Sequence, residues 1–136
     1  MTAADPGSDA AFLEAFDAGR PEGGVFGHRE HLRLAWILID RRGIDAAAPE
    51  IERRLQHLAE AHGMPEKYNR TMTLFWVRLV AHVSERRPAA TFAEFLAVEE
   101  WLLEPGLARR HYSAELLSSG QARAAWVDPD LIAMPA

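Results

Sequence analysis

Two histidines one helical turn apart, His28 and His31 in FGHREHL (26–32), are the first residues along the chain whose types and spacing could do chemistry together. At i and i+3 on a helix their imidazoles share a side and can converge on one ligand. Imidazole titrates near neutral pH, so either ring could serve as a general acid or base. The pair follows a glycine-rich stretch and opens an apolar helix, where backbone N–H groups without helical partners favour an anion. A metal ion, a carboxylate or a phosphate would suit such a place. A plainer reading bonds one ring to a loop carbonyl and leaves the other half exposed.

A second cluster lies forty residues on, in KYNRTMT (67–73). Asn69 and Thr73 are i, i+4 neighbours that lead on to Trp76, and Tyr68 stands beside them, so a polar patch meets an aromatic wall. An unpaired buried donor costs about 1–3 kcal/mol, so these groups need partners. Asn69 and Thr71 are natural helix caps, but capping does not account for both of them together with Thr73. A third cluster, RRHYS (109–113) with Arg123 and Trp126, offers Arg110 and Tyr112 to an anionic group. More often such a stretch is a solvated corner with Tyr112 packed beneath. Of the other histidines, His57 falls on a polar helix face, His82 in an apolar stretch, and His62 just before a helix-closing glycine, where the helix dipole favours a cation. The chain has no GxSxG, Walker, GxGxxG or HExxH motif, and no motif names a cofactor.

The elements that must position these residues are helical almost throughout. Ser8 caps a first helix over 9–18, with Phe12, Leu13 and Phe16 on its inner stripe and Gly19 past its end. RPEGGVFG (20–27) is a loop by composition. A second helix over 28–42 stops at Gly43 and has so little polar face that it is expected at the centre. Asp45 caps a third over 46–61, with Pro49 in its first turn and Ile51, Leu55, Leu58 and Ala59 as the stripe of an outer, amphipathic helix. A fourth runs from Met64-Pro65 to Arg86, and a fifth from the capping box Thr91–Glu94 to Leu103. Two short pieces capped by Ser113 and Ser119 follow. The expected fold is all-α, a compact single-domain bundle of five to seven helices over 1–136, with 28–42 and 67–86 central and 1–8 a flexible tail.

Composition bounds the possibilities. At 136 residues the chain has the length of one domain, able to bury about two-thirds of its unfolded surface. Hydrophobic residues at 49% and charged residues at 26% match a globular protein. With no cysteine, disulfides, thiolate metal sites and cysteine nucleophiles are excluded. The apolar run at 34–39 is far short of the ~20 residues that span a bilayer, and MTAADPGSD is no signal peptide, so a cytoplasmic location is expected. Fifteen basic against twenty acidic residues, net −5, argue against nucleic acid as a partner. Fourteen of the fifteen bases are Arg, which makes Lys67 a rarity beside Tyr68 and Asn69, the one Asn of the chain.

The stretches FGHREHLRLAW (26–36), KYNRTMTLFW (67–76) and HYSAELLSSGQARAAWVDPDL (111–131) resemble a family of small bacterial proteins, common in actinobacteria. That family carries F-x-H-x-x-H-L, Y-H-x-T-x-T and a YS…L…AR…PDL tail. The resemblance implies a fold and a site location rather than a particular reaction. Asn69 departs from it, standing where the family has His. If three family histidines hold a metal, the third donor is replaced here by a much poorer one. If they hydrogen-bond an organic ligand, Asn is a tolerable substitute.

Three functions compete. The first is a small-molecule enzyme or ligand-binding protein, as in bacterial secondary metabolism, with His28 or His31 as acid–base and Tyr68, Asn69, Thr73 and Trp76 orienting the substrate. The second is a metalloprotein adding Glu30, His62 or His82 to the histidine pair. The third is a non-catalytic interaction module whose polar cluster fixes helix packing. The first ranks highest, with a small-molecule ligand, no metal and no membrane. It predicts that His28, His31, Tyr68, Asn69 and Thr73 meet in one pocket, with His28 and Asn69 coupled through shared partners.

Overall fold

A computed structural model describes residues 8–18 and 27–135. The loop expected over 20–27 and the tail over 1–8 therefore lie outside the described residues except for Gly27 and Ser8, as do Gly19 and Phe26. Seven α-helices, joined by short 3-10 turns and with no strand, make up the described residues, and the fold is all-α.

Helix α1 (Asp9–Asp17) is capped by the Ser8 hydroxyl, which accepts from the Ala11 amide at 3.1 Å, and buries Phe12, Leu13 and Phe16. Helix α2 (His28–Ala61) runs through the two expected helices, but at Gly43 (φ 76°, ψ 162°) its backbone leaves helical geometry. Positive φ is open to glycine at little cost, so the chain bends there into two arms, 28–42 and 44–61. The first arm buries every residue from 32 to 38, and the second buries Ala47, Glu50, Ile51, Leu55 and Leu58. Glu50, only 6% exposed, is held by Arg42 and Arg54, which brace the second arm against the end of the first.

The fourth expected helix begins later than its pattern implies. Pro65–Lys67 forms one 3-10 turn, Tyr68 and Asn69 are extended, and α3 (Arg70–Arg86) opens only after Asn69. The Asn69 Oδ1 accepts the Met72 amide at 2.9 Å, so the capping residue sets the boundary. Helix α4 (Phe92–Val98) has its capping box but stops short of Leu103, which falls in a separate 3-10 turn, Glu100–Leu103. Three short helices, α5 (Ala108–His111), α6 (Ala114–Leu117) and α7 (Gly120–Ala124), then lead into the C-terminal segment. The α2–α3 contact is the largest in the molecule, and Leu74–Val77 and Leu79–Ala81 of α3 are buried.

Candidate functional site

Between the two arms of α2 and the start of α3 lies a cavity of about 590 Å³. Each element contributes a stripe at helical spacing. The first arm presents His28, His31 and Ala35, the second Ile51, Leu55 and Leu58 with His62 just past its end, and α3 presents Met72, Thr73 and Trp76 with its cap Asn69. The bend at Gly43 returns the chain so that both arms turn one stripe to the same space. His28, His31, Tyr68, Asn69, Thr73 and Trp76, drawn from two motifs forty residues apart, all line it.

The histidines are held in complementary ways. The His28 Nε2 lies 2.7 Å from the Leu102 carbonyl, and the His31 Nδ1 lies 3.0 Å from the Gly27 carbonyl. A carbonyl only accepts, so each of these nitrogens donates, and in a neutral ring the lone pair falls on Nδ1 of His28 and Nε2 of His31. Burial lowers both pKa values by penalising the imidazolium. His31 is brought down to about 4, against a smaller upward pull from the Gly27 carbonyl. His28 is lowered as well, opposed by Leu102 and by the charge of Glu104. Both rings are therefore neutral at pH 7, with opposite tautomers. The His28 ring also stands edge-on to Trp76, 4.3 Å between centroids, which fixes its plane.

The other lining residues divide by what their polar atoms already do. The Tyr68 hydroxyl donates to Glu52 at 3.3 Å; burial, then the Glu52 charge, holds its pKa well above the ordinary phenol value. Thr73 is half-buried, and its hydroxyl opposes the upward shift of the Tyr68 pKa. Asn69 lines the cavity but both ends of its amide serve the fold: Oδ1 caps α3 and Nδ2 donates to the Leu117 carbonyl at 2.7 Å. His28 and Asn69 thus share a cavity but no hydrogen-bond partner, unlike the coupling expected from the sequence. Thr71 is fully buried away from the cavity, donating to the Ala125 carbonyl at 2.8 Å and accepting from the Val127 amide at 3.2 Å.

Arg110 and Tyr112 do not join this group. Arg110 is exposed, whereas Tyr112 is fully buried with its hydroxyl donating to the Val127 carbonyl at 2.7 Å. Neither lines the cavity. His82 borders a separate hollow of about 540 Å³ beneath the C-terminal segment, where the Arg78 guanidinium covers the Trp126 ring at 3.8 Å. Glu30 accepts the Gly27 amide at 2.8 Å as part of the α2 capping box. Among the described residues no three His, Asp or Glu side chains are gathered in a way that could hold a metal ion.

Of two further mouth residues, His62 entered the sequence reading only as a possible third metal ligand and Lys67 not at all as part of this site. The signal for His62 was its place at the end of the 51, 55, 58 stripe, once Gly43 is read as a reversal. No family model, curated protein or solved structure matches the chain.

Proposed function

We propose that the cavity between the arms of α2 and α3 is a small-molecule site, and that its two histidines equip it for acid–base chemistry on the bound molecule. The observation that carries this reading is the pair of imidazoles lining a cavity of about 590 Å³, with Nε2 of His28 and Nδ1 of His31 each against a backbone carbonyl. That volume lies within the roughly 300–1,000 Å³ of small-molecule sites, and an apolar lining with a few convergent polar groups is their usual make-up. A neutral imidazole takes a proton through its lone pair, so His28 or His31 is the base, and the resulting imidazolium returns the proton as an acid. Tyr68 and Thr73 orient the substrate, and Trp76 supplies a flat apolar wall. The resemblance of 26–36 and 67–76 to the bacterial family points to the same two motifs.

Ala59 lines the cavity, and a larger side chain there fills it. A fragment library screened by ligand-observed NMR is expected to give binders to the wild-type chain that Ala59→Phe loses, with its circular dichroism unchanged. Binders that Ala59→Phe retains, or none at all, would contradict the proposal.

A further inference from the structure

Building on the reading of the cavity as a small-molecule site, we infer that its occupant is an apolar molecule ending in a carboxylate, with the carboxylate held by Lys67 at the mouth. The cavity is polarised along its depth. Its inner end is formed by Ala35, Ile51 and Val77, none more than 2% exposed, and its mouth by the exposed His62, Met64 and Lys67. An occupant that satisfies both ends has an apolar body facing inward and a polar head facing out.

The sign of the head follows from the lining itself: among the described residues Lys67 is its one formally charged side chain, and no Asp or Glu is part of it. Glu30 accepts the Gly27 amide, Glu104 accepts the Gly106 amide, and Glu52 takes Arg70 and the Tyr68 hydroxyl. The Lys67 ammonium makes no ion pair or hydrogen bond among the described residues. The turn that carries it is nevertheless fixed. The Lys67 amide donates to the Met64 carbonyl at 3.0 Å, the Tyr68 amide to Pro65 at 3.2 Å, and the Arg123 guanidinium to the Glu66 carbonyl. The one lysine of an otherwise arginine-only chain is thus a cation on an anchored turn, at the edge of an apolar cavity, with its charge unanswered by the described residues.

The test compares octanoate with octan-1-ol, which share a chain and differ in head charge, by calorimetric titration of the full chain. Because the pair is exposed, its contribution is modest. Lys67→Met is expected to weaken octanoate roughly fivefold while leaving octan-1-ol within about twofold, and Lys67→Arg to restore octanoate. Added salt is expected to weaken octanoate on the wild type but not on Lys67→Met. Octanoate binding indifferent to Lys67, beside intact octan-1-ol binding, overturns the carboxylate inference and leaves the cavity reading standing. Failure of both probes to bind overturns the two together.

Discussion

The mouth of the cavity and the C-terminal corner are built from the same kinds of residue, yet they end differently. Each has histidine, tyrosine and a hydroxyl side chain beside a cation. In the corner, residues 127–132 pass over these groups and answer them. Val127 accepts the Tyr112 hydroxyl, Asp130 takes the Ser113 amide and hydroxyl at 2.8 and 2.6 Å, and the Ile132 carbonyl takes the His111 Nδ1 at 2.8 Å. At the mouth no such strap is present among the described residues; His28 and His31 each meet a backbone carbonyl and line the cavity. Residue type and spacing alone do not separate a binding site from a packed corner. What differs between the two regions is whether a described stretch of chain passes over the polar groups.

The sharpest way to break this contrast is to cut into the corner. Tyr112→Ala removes a fully buried ring that meets Phe75 and Trp126, and is expected to cost about 3–5 kcal/mol of stability by chemical denaturation. Ligand affinity of the folded fraction is expected to stay the same. A loss of affinity with little loss of stability would place Tyr112 with the mouth instead.

His31 gives the next largest effect, through pH. Its native pKa of about 4 lies below the 6.5 of an unfolded histidine, so the unfolded chain takes up the proton first as pH falls. The stability it contributes is complete above pH 6.5 and is lost progressively toward pH 4, by about 3 kcal/mol at 1.36 kcal/mol per pKa unit. His28, shifted the same way, adds to the slope. Urea unfolding from pH 7 to 4 is expected to show this fall in the wild type and a shallower one in His31→Gln. Equal slopes would mean that His31 is not held neutral.

Asn69 sharpens the comparison because it sits at the mouth but behaves like the corner. Asn69→Ala removes a cap and is expected to cost about 1–2 kcal/mol. With His28→Ala its effect on thermal stability is expected to add, since the two share no hydrogen-bond partner. A coupling well above about 0.5 kcal/mol would restore the joint network that the sequence suggests. The smallest effect belongs to the exposed Arg110, whose replacement by Ala is expected to stay within about 0.5 kcal/mol and to leave ligand binding untouched.

Much of the architecture was legible because it rests on local chemistry. Ser8, Asn69, Thr91, Ser113 and Ser119 are all side-chain caps, and Gly43 breaks the helical backbone where the apolar pattern pauses. The early start given to α3 and the extension of α4 to Leu103 arose because apolar periodicity persists through 3-10 turns and carries no mark of the hydrogen-bond register. The histidine and KYNRTMT motifs could be brought together because both open buried helices that need each other. Lys67 and His62 were harder to place, since their position depends on how far the second arm of α2 swings back. For Tyr112 the sequence leaves both an anion and a packed corner open, because nothing in its neighbourhood of sequence reveals that Val127, fifteen residues on, accepts its hydroxyl.

The proposed acid–base chemistry depends most directly on the protonation of the two histidines that border the cavity. Long-range 1H–15N correlation spectra of the histidine side chains at pH 7, assigned with His28→Gln and His31→Gln, read this without any ligand. The structure predicts two neutral rings of opposite tautomer, with the proton on Nε2 of His28 and on Nδ1 of His31. Finding either ring as an imidazolium at pH 7, or both protons on the same type of nitrogen, would contradict it.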